Sequence, residues 1–470
     1  MKRLPDTVVL IIASLNLFLV AFASADDKQP AKTGPSGNSI SGCMTTACHG
    51  ANSASDAPLW QRAGSIWFDQ DPHAQAYTSL QTELSKNIVW RMTKREMAVG
   101  SIDYKAFLEM KCVSCHASEL APVSKRNLGG DCQICHGPAD AWDDTHFSQE
   151  WQSLGAKRFE DRKMVNVESI ALRAAVCSSC HVGELSRIAG RDREVDHQLM
   201  ASGHPPMYFD FELFSRRYPK HWETKDELAQ YGKSSRLRSW RIGKLQASIA
   251  RMKMLTARAE KAQQSDSIHD WPELTEYSCT NCHHALEQPS WRQAKGANAS
   301  YLWDSWCTSL LSQAVGEKSS VALSNQLEEL TKEMERIAPS AYAVRSKSER
   351  VLNLLESELK IVIDTNHWPD ADLTSQLAEL LKLEPTLSSW ESAAQWYILT
   401  ESIADGLNMD VAKNRFSKLT KQGFFGEPKT WLRNDESTRP NSSGFRPGFL
   451  SDYSDTLFQE LRSRELRSRP

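Results

Sequence analysis

Nothing in the chain favours a polyanionic partner. Its 56 Lys and Arg are set against 59 Asp and Glu, a net charge of −3 over 470 residues, so the basic field that nucleic-acid binding needs is missing. Beyond residue 25 no stretch is apolar for long enough to cross a bilayer, which excludes a polytopic membrane protein. No convincing run of alternating β-branched residues occurs, which argues against a sheet-built core. Apolar residues at 40% and charged ones at 24% exclude a disordered or fibrous chain. Cysteine and tryptophan stand out instead, with 11 and 15 copies.

Lys2 and Arg3 precede an apolar run from Val8 to Ala23 that closes in Ala23-Ser24-Ala25. A basic start, an apolar centre and a small-x-small end describe a secretory signal peptide over residues 1–25. An uncleaved anchor is the rival reading; Asn16 within the run and the well-formed cleavage site favour removal. The expected location is periplasmic or otherwise exported, with no membrane span after cleavage. Export of so many cysteines would ordinarily suggest disulfides, but their local spacing argues otherwise.

Four segments repeat one pattern: Cys112-Val-Ser-Cys115-His116, Cys132-Gln-Ile-Cys135-His136, Cys177-Ser-Ser-Cys180-His181 and Cys279-Thr-Asn-Cys282-His283. Each is C-x-x-C-H, the attachment signature of c-type haem. Positions i, i+3 and i+4 share one helical face, so two thiols reach the two vinyl groups of a haem while the His reaches its iron as proximal ligand. Zinc ribbons pair C-x-x-C units without demanding a His after each. A fifth, stretched segment, Cys43-Met-Thr-Thr-Ala-Cys48-His49, cannot put its three groups on one helical face and needs a loop before Cys48. It reads as a fifth attachment site with His49 proximal, or as a single-thioether or unattached segment with Cys43 to spare. Cys307, left over, reads as a small buried apolar residue.

Thirteen His residues are present. With His49, His116, His136, His181 and His283 proximal, eight remain for a sixth iron position, which takes His or Met or stays open. His73, His146, His197 and His204 stand in segments suited to distal ligation. His284 points away from its neighbour His283 on a helix and serves either a neighbouring haem or a hydrogen bond. His221, His269 and His367, in polar surroundings, are expected to be solvated. Met200 and Met207 are expected to pack rather than ligate.

The segments Trp67…His73-Ala-Gln-Ala76, Cys135-His136-Gly-Pro-Ala…Trp142…His146 and Gly203-His204-Pro…Phe209-Asp210 resemble the multihaem c-type cytochrome family typified by the tetrahaem electron acceptor of hydroxylamine oxidoreductase. Tyr277-Ser-Cys-Thr-Asn-Cys-His-His284 with Pro289-Ser-Trp-Arg-Gln293 is similar to related multihaem cytochromes. The likeness runs over about residues 40–295. It implies a mostly helical, haem-filled periplasmic domain with mixed bis-His and open coordination that passes electrons, kin to enzymes acting on nitrogen and sulfur oxyanions. The stretched first motif and the fifth haem depart from the tetrahaem type.

The expected architecture is mainly α. A flexible linker over 26–42 leads to a pentahaem cytochrome domain over 43–310, then a helical bundle over 311–423 and a loop-rich tail with a short terminal helix over 424–470. Residues 226–264 read as one or two long helices, with Ile242, Leu245, Ile249 and Met252 at helical spacing. Stripes at Leu323, Leu327, Leu330, Met334 and Ile337, and at Val351, Leu354, Leu355, Leu359 and Val362, predict bundle helices, followed by shorter runs near 372–382, 388–405 and 409–420. Five covalently held haem c groups in a span this short must be neighbours, which suits a carrier between redox partner proteins. The alternative is an oxidoreductase acting on a small nitrogen or sulfur compound at one open haem. No second motif type accompanies the haem motifs, which favours the carrier.

Overall fold

The computed structural model describes residues 43–118, 129–155, 157–161, 164–185, 192–223, 232–264, 271–278, 303, 305–365, 370–383, 390–409, 455 and 457–459. The signal and linker segments, Cys279, Cys282, His283, His284, His269, His367, the helical run beyond 409 and nearly all of the tail lie outside these. Among the described residues the fold is mainly α. Strand pairing is limited to the isolated bridges Glu184–Arg193 and Tyr277–Trp303.

Ser235–Gln264 form one 30-residue helix, α9 in chain order. Ile242, Leu245, Ile249 and Met252 are each no more than 5% exposed, as their spacing of three and four requires. The helix is buried on other faces as well, at Leu237, Trp240, Met254 and Leu255. Two cations inside it find partners where they stand. Lys244 Nζ donates to Trp306 O at 2.7 Å and Gln395 Oε1 at 2.9 Å, and Arg258 binds Glu194 and Glu276.

Around α9 the elements divide by chain position. From the earlier half come α6 (Ile170–His181) and α8 (Phe211–Arg217). From the later half come α10 (Glu317–Met334), α11 (Ala341–Asp364), α12 (Asp370–Leu383) and α13 (Trp390–Gly406). The longest packing is between α9 and α11. One hydrophobic core therefore runs from Ile170 through Trp240 to Leu355 and Trp396, across the expected division at residue 310. A buried carboxylate ties the halves again: Glu401 on α13 receives both Arg216 nitrogens, at 2.9 and 3.1 Å.

The stripe in α10 stops one residue early. Leu323, Leu330 and Met334 are buried, whereas Ile337 is 99% exposed and lies past the helix end. Pro339 follows closely, and the residue before a proline resists helical geometry.

Residues 43–223 are built otherwise, from short helices: α1 (Leu59–Gln70), α2 (Glu83–Thr93), α3 (Ile102–Lys111), α4 (Val113–His116), α5 (Cys132–His136), then α6, α7 (His197–Ala201) and α8. Their apolar contacts form small clusters. One gathers Leu80, Val89, Tyr104, Phe107 and Leu108, pinned where Tyr104 Oη donates to Leu80 O at 2.8 Å.

Leu355 has no exposed surface and sits in the shared core. Leu355→Ala should cost about 2–5 kcal/mol through lost transfer energy and a residual cavity, read as a lowered midpoint in chemical denaturation of the full chain.

Candidate functional site

The short helices enclose a cavity of about 2600 Å³, several times the roughly 300–1,000 Å³ of an ordinary small-molecule pocket. Cys43, Cys48, Cys112, Cys115, Cys132, Cys135, Cys177 and Cys180 all line it, as do His49, His73, His116, His136, His146, His181, His204 and His221. None of the described cysteines is in a disulfide.

Local sequence puts the three described C-x-x-C-H motifs at helix ends. Asp131 caps α5 by accepting from Gln133 N at 3.0 Å, and Ser169 caps α6 through Leu172 N. The motif thus occupies the whole of α5 and the last turn of α6, each closing on its His. In the stretched motif the chain loops instead, and His49 N donates to Cys43 O at 3.1 Å.

Four imidazole pairs face each other across the cavity. Ring centres are 6.2 Å apart for His49 and His146, 6.3 Å for His116 and His204, 6.3 Å for His136 and His221, and 6.0 Å for His181 and His73. A ring nitrogen lies about 1.2 Å from its ring centre and binds a transition metal at about 2.0–2.1 Å, so rings on opposite sides of one ion lie roughly 6–6.5 Å apart. Each pair joins one motif histidine to one histidine from elsewhere in the chain.

The ring nitrogens are oriented by their neighbours. Nδ1 of His49 reaches Trp60 O at 2.6 Å, that of His116 Ala76 O at 3.0 Å, that of His146 Asp143 O at 2.8 Å and that of His204 Pro205 O at 2.8 Å. A carbonyl only accepts, so Nδ1 carries the proton and Nε2 keeps its lone pair for a metal. His73 differs, because its Nδ1 meets Asp71 Oδ1 at 2.7 Å. Its ring is 48% accessible, since it opens on the cavity, while Asp71 is at 1%. Burial disfavours the charged His73 ring, but Asp71 outweighs it and holds the ring above its ordinary pKa. Burial likewise pushes Asp71 up, yet hydrogen bonds from His73 and Tyr218 leave its carboxyl below the usual range.

Burial and neighbouring imidazoles push His181 down to about 3, His136 to about 4 and His204 to about 4. These rings are neutral near pH 7, the form that binds metal. Burial also raises the thiols of Cys112, Cys132 and Cys177 to about 12, the reverse of the setting that makes a thiolate ligand or nucleophile. Cys115 donates to Cys180, lifting the first thiol and lowering the second.

Glycine is required beside His73. Gly129 has φ +76°, and a Cβ there would stand 2.3 Å from His73 O; the next residue, Gly130, donates its N–H to that same carbonyl at 2.9 Å.

Of the expected distal candidates, His73, His146 and His204 each face a motif histidine. His197 belongs to none of the four pairs; its main-chain N–H donates to Glu273 Oε1 at 2.9 Å. His221, expected in solvent, is partly buried and faces His136, with Tyr218 and Trp222 against its ring. The aromatic flank was its one signal in the sequence, shared with Trp67 before His73 and Trp142 before His146. Cys307 is 6% exposed and sits in the main core.

Residues 131–201 match the family model described as cytochrome c554 and c-prime. No curated protein and no solved structure matches the chain. The match supports a c-type cytochrome working in electron transfer and carrying covalently bound haem c. The residues present fit that group: paired thiols and opposed imidazoles line a single cavity of sufficient size.

His221→Ala in the haem-loaded protein should convert one ferric haem from low-spin to high-spin. Loss of one low-spin component in the EPR spectrum checks this; an unchanged spectrum would return His221 to a solvated role.

Proposed function

We propose that the chain is an exported, periplasmic multihaem cytochrome that relays electrons between redox partner proteins. The observation that carries this reading is the set of four opposed imidazole pairs on one cavity. Bound haem c supplies the one-electron Fe(III)/Fe(II) couple. In this assignment Cys43 and Cys48, Cys112 and Cys115, Cys132 and Cys135, and Cys177 and Cys180 form the thioether bonds. His49 and His146, His116 and His204, His136 and His221, and His181 and His73 hold the irons.

The cysteines also suggest an order along the relay. Besides burial, Cys43 acts on the thiol of Cys132 and Cys177 on that of Cys135, while the Cys115 thiol hydrogen-bonds to Cys180. The first motif thus neighbours the third, the third the fourth, and the fourth the second. Tunnelling falls steeply with distance, so neighbouring sites in one cavity suit rapid transfer. A fifth haem belongs to Cys279, Cys282 and His283. His197 is its best counterpart, because Glu273, which holds the His197 main chain, lies six residues before Cys279.

The sequence resemblance to the tetrahaem acceptor of hydroxylamine oxidoreductase agrees with an electron-passing role. The acidic balance of the chain suits basic partners and salt-sensitive docking. Closed coordination favours relay over catalysis at iron, since both axial positions are then taken.

Ferric protein from a host competent in haem attachment should show low-spin haem throughout. Neither nitrite nor hydroxylamine should change its optical spectrum. A high-spin component that shifts with either ligand would favour an oxidoreductase with one open haem, and colourless, haem-free protein would overturn the reading entirely.

A further inference from the structure

The Nδ1 partners are not equivalent. His49, His116, His146 and His204 donate to main-chain carbonyls, whereas His73 donates to the carboxylate of Asp71. Asp71 is fixed on every side. Its main-chain N–H closes the end of α1 on Trp67 O at 3.1 Å, its Oδ1 also accepts from His73 N at 2.9 Å, and its Oδ2 accepts from Tyr218 Oη. Tyr218 is set in turn by the end of α8, where its N–H donates to Phe214 O at 2.9 Å.

Hydrogen bonds to an ionised acceptor are about twice as strong as neutral ones, and a carboxylate behind a ligating imidazole raises its basicity. A more basic ligand, with a buried negative charge behind it, stabilises ferric over ferrous iron. Tyr218 works the other way, because its hydroxyl shares the Asp71 charge.

We propose that Asp71 is a positioning residue that lowers the reduction potential of the haem held between His73 and His181, and that Tyr218 limits the lowering. The inference rests on the haem assignment above and makes this interior site differ electronically from its neighbours, although all share bis-His ligation.

The test is an anaerobic spectroelectrochemical titration of the haem-loaded full chain. His73→Ala identifies the relevant step, as the one whose low-spin EPR component disappears. Asp71→Asn should move that step upward, by about tenfold in the ferric-to-ferrous ratio at fixed applied potential, or about 59 mV for a one-electron couple. Asp71→Glu should restore much of the original position, and Tyr218→Phe should move the step the opposite way. An unmoved step in Asp71→Asn, or an equal movement of all steps, overturns the proposal. Where Asp71→Asn fails to load haem, Tyr218→Phe decides alone, and a zero or upward shift overturns it. Haem-loaded, low-spin protein with an unmoved step sinks this inference only, whereas wild-type protein without haem sinks the assignment beneath it.

Discussion

Opposed imidazoles about 6 Å apart at their ring centres are the constraint on which the first half of this protein depends. Rings held at that separation leave room for a metal ion between their nitrogens. A chain that repeats the arrangement four times around one cavity is shaped to a guest lying between the rings. The elements that carry them are correspondingly short. α4, α5 and α7 have four or five residues each, too few to be stable as isolated helices. They are held by caps, by carbonyls bonded to ring nitrogens and by whatever the cavity contains.

The second half solves the opposite problem. It has ordinary amphipathic helices and an apolar core, and α9 is shared between the two regimes. One end of its surroundings is Phe211 and Ala171, the other Leu355 and Trp396. α9 lies behind the cavity wall, in the same apolar core as Phe209, Phe211 and Leu213, which line the cavity. The bonds of Lys244 and Arg258 inside that core hold α9 in register against the elements around it.

How much of this the sequence disclosed depends on whether the information is local. The C-x-x-C-H motifs are local chemistry, and Asp131 and Ser169 cap the starts of the helices that carry two of them. Stripes such as Val351, Leu355 and Val362 are local periodicity, and all three are buried. Ile337 continued its stripe on paper, but Pro339 ended the helix first. The aromatic flank of His221 marked it only weakly, because its partner His136 is 85 residues earlier and only the fold brings them together. The core crossing residue 310 was hidden for a related reason. α9 is apolar on several faces and carries Lys244 and Arg258 inside, so its pattern does not announce which neighbour it packs against.

The same distinction bears on function. Attachment motifs specify that haem is held, but the choice between relay and catalysis turns on the sixth ligand, which is a tertiary fact. In the proposed assignment each described site is closed by a second imidazole, and five of the eight ligands are anchored through Nδ1. Four such anchors are main-chain carbonyls, whose position the backbone fixes, and the fifth is a carboxylate at 1% exposure. Ligands tied this way resist exchange. In that assignment these hydrogen bonds would keep iron six-coordinate, an arrangement suited to moving electrons.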